Sequence, residues 1–297
     1  MPAALAEKTK EAIVAIIKGK GEILNAVTET VSDTLTTALK ETGSLAKAVT
    51  GAVADVASGV IEGTSQVGGD LGKAAKGAVV GVLRGTKQVG GEATDAVGST
   101  MHNLVKATAQ VGGDVGSAAR QAMEGVIEGT RSVGLKGFDA VAAAAAGAIE
   151  GLGGVGKTAT TTTAAVAREL IQGASNVGGD LGSAAKGTML GVLHGTKELT
   201  GQTTSAVAST AGSLVKATAD VGGDIGGTAK AAVVGAIQGA KDVGLDAAQA
   251  ASAAASGALE AAGDISTTAV DQVQRAATGV IEGVKVVVAT PFRRSPA

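Results

Sequence analysis

The chain is built on an ungapped 22-residue repeat, and this period constrains its fold more than any other feature. The pentapeptide Gly-Val-Ile-Glu-Gly occurs at 59–63, 125–129 and 279–283, at offsets of 66 and 220 residues, both multiples of 22. We divide the chain into a lead-in (1–14), thirteen repeat units, the last of them incomplete (15–289), and a tail (290–297). Such a period predicts a long repetitive surface, not a pocket with walls.

Each unit splits into two related halves of 11 residues, and this half-period is typical of a helix. Eleven residues over three turns give 3.67 residues per turn, so one apolar stripe stays on one face of a nearly straight helix. Pro occurs only at positions 2, 291 and 296. The sequence therefore predicts an all-α fold of long amphipathic helices with an 11/22-residue (hendecad) coiled-coil-like repeat and few or no globular features.

Glycine is the evidence against long helices. The chain has 47 glycines, and each one costs a helix roughly 1 kcal/mol relative to Ala. The recurring Val-Gly-Gly-Asp segments, at 67–70, 111–114, 177–180 and 221–224, allow a second interpretation. In it, Gly ends one helix of about 18 residues and Asp caps the next. A third arrangement has a few breaks at Gly pairs and several long antiparallel helices. The unbroken repeat phase favours long helices.

The apolar stripe defines the residues that we expect to face an interface. They are Val60, Ile61, Val67, Leu71, Val79, Val82, Leu83, Val89, Val126, Ile127, Val133, Leu170, Ile171, Val177, Leu181, Val192, Leu193, Val221, Ile225, Val280 and Ile281. Spacings of three and four residues place them on one arc of a helix. Gly59/Gly63, Gly81/Gly85 and Gly125/Gly129 either permit close helix approach or are simply inherited with the repeat.

Charged residues are sorted along the two borders of this face. A basic edge comprises Lys76, Lys87, Arg120, Arg131, Lys186, Lys197, Lys230, Lys241 and Lys285. An acidic edge comprises Asp70, Glu92, Asp114, Asp180, Asp224 and Asp246, joined by Glu198, Asp220, Asp242 and Asp264. Parallel neighbours on one surface would bring opposite charges together, so we predict parallel, side-by-side self-association. The alternative is a solvated polar face whose exposed pairs contribute little.

Composition excludes several classes of function. A net charge of −2 gives no electrostatic case for nucleic-acid binding. Phe138 and Phe292 are the only aromatic residues and Cys is absent, so neither an aromatic-rich core nor a thiolate metal site is expected. We expect no signal peptide and no transmembrane helix, because the longest uncharged apolar run, 140–149, is about half of what spans a bilayer. A cytoplasmic protein, peripheral on a membrane or lipid body, is the expectation.

Two features resemble catalytic or ligand-binding motifs. Residues 151–158 match the phosphate-loop pattern through Gly151, Gly156, Lys157 and Thr158, but the preceding Ala-rich stretch is typical of a helix and the motif requires a strand. The match also lies in register with the repeat. His102 and His194 occupy unrelated repeat positions, and we expect both on exposed faces. We therefore predict no catalytic residues, no cofactor and no metal site.

Several phrases resemble the 11-residue repeats of the synucleins. They are Ala-Glu-Lys-Thr-Lys-Glu at 6–11, Gly-Ala-Val-Val-Gly-Val at 77–82 and Gly-Val-Leu-His-Gly-Thr-Lys at 191–197. Perilipins and exchangeable apolipoproteins are similar in period. This resemblance implies a chain that is largely disordered in solution and becomes an amphipathic helix on lipid. The Ala- and Thr-rich repeats also resemble helical antifreeze proteins.

Three functions fit these observations, none of them enzymatic. The leading hypothesis is a protein that coats an apolar interface (a membrane surface, lipid droplet or storage granule) by reversible attachment that sums over many weakly apolar residues. The first alternative is a structural protein that self-assembles into a right-handed helical bundle or filament. The second is a stress-protective or ice-binding helical protein.

Overall fold

The structure, a computed structural model, describes residues 2–20, 22–42, 46–90, 93–134, 137–153, 160–196 and 203–288. Within these ranges the chain forms thirteen α-helices and one β-hairpin. The helices are α1 (Pro2–Lys20), α2 (Ile23–Thr42), α3 (Ala46–Gln66), α4 (Leu71–Gln88), α5 (Ala93–Gln110), α6 (Val115–Val133), α7 (Gly137–Gly153), α8 (Thr160–Asn176), α9 (Leu181–Thr196), α10 (Thr203–Asp220), α11 (Ile225–Val243), α12 (Ala247–Ile265) and α13 (Thr267–Ala277). The strands are β1 (Gly279–Ile281) and β2 (Val284–Val286).

The all-α class is confirmed, but the helices are much shorter than the favoured expectation. The longest, α3, has 21 residues, and α4, α5 and α6 begin 22 residues apart at 71, 93 and 115. Each repeat unit thus supplies about one helix and one turn. The prediction of long helices was wrong because 18 helical residues plus a four-residue turn keep the same 22-residue phase as an uninterrupted helix.

Seven of the described helices end at glycines in the left-handed conformation. At the end of α3, Gly68 has a φ of 67°, which costs little without a Cβ atom. Its N–H donates to Ser65 O at 3.1 Å, and Gly69 N–H donates to Thr64 O at 2.9 Å. These bonds satisfy carbonyl groups that the helix leaves free at its C-terminus. The same conformation recurs at Gly90, Gly112, Gly134, Gly178, Gly222 and Gly244.

The next helix begins with an aspartate cap. The Asp114 carboxylate accepts a hydrogen bond from Ser117 N–H at 3.1 Å, and the Asp224 carboxylate accepts one from Gly227 N–H at 2.9 Å. Each satisfies an amide that lacks an intrahelical partner. Val-Gly-Gly-Asp therefore ends one helix and starts another, as the short-helix interpretation predicted.

Helices two apart along the chain make the most extensive contacts, so the helices form two rows. The even row contains α2, α4, α6, α8, α10 and α12, and the odd row contains α1 and the helices from α3 to α13 with odd numbers. Partners in a row are parallel: Gly77 of α4 faces Leu24 of α2, and further along Gly85 faces Ser32. Consecutive helices contact each other between the rows.

A continuous apolar core lies between the rows. It is dominated by Ala, Val and Leu, and its largest fully buried side chains include Leu35, Leu83, Met123 and Leu170. The expectation of few globular features was therefore wrong. Small residues let the helices pack closely, and none of the buried side chains in the described part of the chain is aromatic.

The third copy of the pentapeptide is not helical. Residues 59–63 lie in α3 and 125–129 lie in α6, whereas 279–283 form β1 and the turn that follows it. β1 pairs antiparallel with β2, and Glu282 and Gly283 at the turn have φ values of 49° and 77°. The valines that follow the pentapeptide, at 284 and 286–288, favour a strand.

Candidate functional site

The predicted interface residues are buried against other helices of the same chain. Fully or nearly fully buried are Val60, Ile61, Val79, Val82, Leu83, Val126, Ile127, Val133, Leu170, Ile171, Val192, Leu193 and Ile281. Leu71, Val89, Val177, Leu181, Val221 and Ile225 are half-buried and pack on the same core, and Val67 is also half-buried. Val280 is 76% exposed. Protein, not an external surface, covers the apolar face in this structure.

Glycines of the repeat form the closest contacts between parallel helices. A Cβ atom on Gly63 would lie 2.8 Å from Lys10 O of α1, and one on Gly81 would lie 2.7 Å from Thr28 O of α2. These distances are too short for a side chain. Of the two explanations for the Gly-x-x-x-Gly pairs, the structure supports close helix approach.

Five of the ten residues of the predicted acidic edge cap helices instead, while Asp220 and Asp264 pair with cations of neighbouring helices. The carboxylates of Asp70, Asp180 and Asp246 accept amide hydrogen bonds from the first turns of α4, α9 and α12, as those of Asp114 and Asp224 do for α6 and α11. Glu92 and Glu198 lie outside the described residues. The 22-residue recurrence of these aspartates reflects the recurrence of turns, so the prediction that they border the apolar face as a continuous acidic edge was wrong.

The acidic residues that do meet the basic edge lie elsewhere. Lys76 Nζ of α4 lies 2.8 Å from Glu128 Oε1 and 3.8 Å from Glu124 Oε2 of α6. Arg120 Nε of α6 lies 3.1 Å from Glu169 Oε2 of α8, an ion pair without hydrogen-bond alignment.

These ion pairs continue along the even row. Arg168 of α8 pairs with Asp220 of α10, and Lys216 Nζ of α10 lies 2.7 Å from Asp264 Oδ2 of α12. In each pair the cation lies on the earlier helix. We name the four helix-to-helix links, from Lys76 to Asp264, the even-row ladder. Each exposed link contributes little alone, but together they join five parallel helices.

Other basic-edge residues bind carbonyl groups at helix ends. Arg131 donates from Nη2 to Gly178 O at 3.0 Å, and Lys87 donates to Val133 O. Both cations lie near the negative end of a helix dipole, where positive charge is favourable. Lys186 is half-buried, Lys230, Lys241 and Lys285 are exposed, and Lys197 lies outside the described residues.

His194 contacts a carboxylate, Glu150, that also affects the pKa of His102, a relationship that their repeat positions did not indicate. His194 Nδ1 of α9 lies 2.8 Å from Glu150 Oε1 of α7, and its Nε2 lies 3.7 Å from Asp242 Oδ2 of α11. Burial lowers the pKa of His102, with the Glu150 carboxylate raising it less and Lys106 lowering it further. His102 is half-buried rather than exposed. In the described part of the chain, no group of three or more His, Cys, Asp and Glu side chains is arranged to hold a metal ion.

Threonines at one repeat position lie inside the core, a feature that sequence analysis missed. Thr64, Thr86, Thr108, Thr130, Thr196 and Thr218 are all buried. Thr218 donates to Thr228 Oγ1 at 3.1 Å, whereas the hydroxyls of Thr64, Thr86 and Thr108 have no hydrogen-bond partner. These hydroxyls are not available to bind at the surface.

The outer surface of the even row has shallow grooves. One, of about 250 Å³, lies between α2, α4 and α6 and is lined by Glu29, Lys76, Arg84 and Glu128 above an apolar floor of Val80. Another, of about 420 Å³, lies between α10 and α12 and is lined mainly by serines and small residues. Charges of both signs in the first groove indicate no preference for one class of ligand.

The phosphate-loop match falls partly on described residues. Gly151 is buried within α7, where a Cβ atom would lie 2.5 Å from His102 O of α5. A helical, buried Gly151 is not positioned to begin a phosphate-binding loop after a strand. Gly156, Lys157 and Thr158 lie outside the described residues.

Comparison with known proteins gives no family for this chain. No family model and no curated protein sequence matches it. The resemblance to the synucleins, perilipins and apolipoproteins therefore stays a prediction based on period and composition. None of the helices in the described ranges is both long and apolar enough to cross a membrane.

Proposed function

We propose that this chain is a non-enzymatic structural scaffold that folds on itself as a two-row helix stack. The observation that carries the proposal is the burial of the repeat's apolar face, including Val60, Val82 and Val126, against helices of the same chain. A chain that uses this face internally does not need a second copy or an external surface to fold. Of the functions predicted from the sequence, this one corresponds to the structural protein, except that its helices pack within one molecule.

The direction of consecutive helices and the even-row ladder also support a rigid scaffold. Short turns, together with the parallel packing of helices two apart, imply that consecutive helices run in opposite directions. Packed helices lie about 8–10 Å apart, so a row of six or seven would extend over roughly 40–60 Å from its first helix axis to its last. The even-row ladder runs along most of that length and would resist sliding between helices.

Far-UV circular dichroism over a concentration series, with and without neutral and anionic vesicles, tests the scaffold. We expect a strongly helical spectrum that is independent of concentration and of vesicles. A coil-like spectrum that becomes helical only with vesicles would contradict a self-packed chain. Helicity that rises with concentration would favour assembly between copies into a bundle or filament.

A coat on an apolar interface is the second candidate, and the composition of the core favours it. The core is rich in Ala and Val, so each helix buries modest apolar area and separates at modest cost. The left-handed glycines at seven of the helix ends, such as Gly68 and Gly222, could serve as hinges. Opening would present the same apolar face to a membrane, lipid droplet or storage granule, with parallel association of copies on that surface.

A disulfide lock separates the two candidates. Because the chain has no cysteine, Thr218→Cys/Thr228→Cys would place the only two thiols where the hydroxyl oxygens lie 3.1 Å apart. If the coat requires opening at this turn, the oxidised variant should bind vesicles more weakly than the same protein after reduction. Equal vesicle binding by both forms would show that α10 and α11 need not separate for binding. If neither form binds vesicles, the scaffold is the only one of the two candidates that remains.

A further inference from the structure

The C-terminal hairpin occupies the place where the next even-row helix would pack. Along the row, α10 receives α12 through a contact in which a Cβ atom on Gly212 would lie 3.1 Å from Gly257 O and 3.5 Å from Ala261 Cβ. The hairpin contacts α12 through β2, and Val287 N–H donates to Ser252 Oγ at 3.3 Å. At about 100° per residue, Ser252 lies about 140–180° around α12 from Gly257 and Ala261.

The hairpin is attached through one apolar side. Ile281 and Val286 are 7% and 4% exposed, whereas Val280 and Val287 are 76% and 58% exposed. The buried pair therefore marks the side of the hairpin that packs on the helices. The exposed pair marks the side that faces away from them.

The sequence of the hairpin is helical elsewhere in this chain. In α3, Gly59 and Gly63 pack against the backbone of α1, and in α6, Gly125 packs against Lys76 of α4. Residues 279–283 have the same sequence, but α13 stops at Ala277, after 11 residues. One repeat unit has thus changed from a full helix into a short helix and a hairpin, and the hairpin covers α12.

We propose that the β1–β2 hairpin is a cap on α12 that hides a helix-docking surface for a second copy of this chain. The covered side of α12 corresponds to the side on which each earlier even-row helix receives the next helix of the same repeat. A repeat helix from another copy is therefore the partner that this surface fits. While the cap is closed, the stack does not add helices from a second molecule.

Two matched double variants of the full chain test the cap by sedimentation velocity over a concentration series. Ile281→Asp/Val286→Asp places charge on the buried side of the hairpin and should detach it, whereas Val280→Asp/Val287→Asp adds the same charge on the exposed side. We expect the first variant to associate with rising concentration, at least doubling its mass. The second variant and the wild type should stay at one mass.

A single mass for Ile281→Asp/Val286→Asp at all concentrations, with wild-type helicity, would overturn the cap. So would association of the wild type to the same extent. If this variant loses its helical spectrum, Glu282→Val/Gly283→Val replaces it, since β-branched residues at φ values of 49° and 77° disrupt the turn without adding charge. Glu62→Val, in the helical copy of the pentapeptide, is its control and should leave the mass unchanged.

Discussion

The hydroxyl of Thr218 in α10 donates a hydrogen bond of 3.1 Å to the hydroxyl of Thr228 in α11. Five repeat units earlier, Thr108 occupies the matching position, but Ala118 stands where Thr228 stands. The Thr108 hydroxyl is buried without a partner. One repeat position therefore carries a satisfied polar group in one place and an unsatisfied one in another.

This difference predicts opposite outcomes for the same substitution. Thr218→Val should lower the free energy of unfolding by about 1–2 kcal/mol, because it leaves Thr228 without its partner. Thr108→Val should be neutral or stabilise by up to about 1 kcal/mol, because it removes an unpaired buried hydroxyl. Urea unfolding followed by circular dichroism gives both values. Equal destabilisation by the two variants would mean that the Thr218 hydrogen bond adds nothing.

Glycine contacts between parallel helices predict a second pair of outcomes. A Cβ atom at Gly257 would overlap the backbone of Ala208, whereas one at Gly51 meets nothing within 4 Å. We expect Gly257→Ala to destabilise the chain by about 3 kcal/mol through overpacking. Gly51→Ala should stabilise it by roughly 0.5–1 kcal/mol, because Ala is the better helix former. Thermal and urea unfolding midpoints measure both, and a neutral Gly257→Ala would argue against close packing of α10 on α12.

The half-buried His102 predicts a dependence of stability on pH. Burial lowers the pKa of His102 in the folded chain, so protonation favours the unfolded chain. Its contribution to stability is therefore present above the ordinary histidine value of about 6.5 and is lost as pH falls below it. His102→Gln should lose less stability than the wild type between about pH 8 and pH 5.

The quantity to compare is the difference in free energy of unfolding between wild type and His102→Gln at each pH. Asp55, whose pKa burial raises, is present in both proteins, so its titration largely cancels. A difference that stays constant with pH would show that the fold does not disfavour protonation of His102.

Val-Gly-Gly-Asp at 67–70 and 111–114 recurs 110 residues later at 177–180 and 221–224, and this internal duplication predicts tolerance to removal of one unit. Five units separate α4 from α9 and α5 from α10, so each related pair lies in opposite rows. A unit should therefore fit either row, although its removal moves all later helices to the other row. Deleting residues 115–136, which places Asp114 directly before α7, should leave a cooperatively folded chain.

Deleting 115–125 is the matched control, because it leaves half a helix and breaks the period. It should reduce helicity and unfold far more readily. Differential scanning calorimetry distinguishes the two deletions. If the 22-residue deletion unfolds as readily as the 11-residue deletion, the two rows are not equivalent.

Sequence reasoning recovered the period, the helical class and the apolar face, because spacing alone determines them. It did not place the turns, since a continuous helix and a helix with a four-residue turn repeat with the same phase. The spacing of Asp70 and Asp114 also fits the acidic edge of a continuous helix, although each residue follows a Gly pair that marks a helix end. Lys76 of the basic edge does meet a carboxylate of a parallel helix, but that carboxylate is Glu128, which lies outside the predicted acidic edge and in the same molecule.

The remaining features depend on tertiary contacts. Thr218 and Thr108 look equivalent in the sequence, and only the neighbouring helix makes one paired and the other not. The hairpin at 279–286 could not be inferred from its pentapeptide, because identical residues are helical at 59–63 and 125–129. Its conformation depends on the valines that follow and on the surface of α12.

Side-chain hydrogen bonds between helices two apart join residues separated by about two repeat units. The separation is 44 positions for His194 and Glu150 and 52 positions for Lys76 and Glu128. The extensive helix contacts in the described ranges likewise join helices one or two apart along the chain, and in such a stack each unit is stabilised by its neighbours. Pulled from its two termini, the molecule should lengthen in a series of small steps, one helix peeling from an end while the interior stays folded. The extension should be reversible, and its maximum length should be set by the number of repeat units.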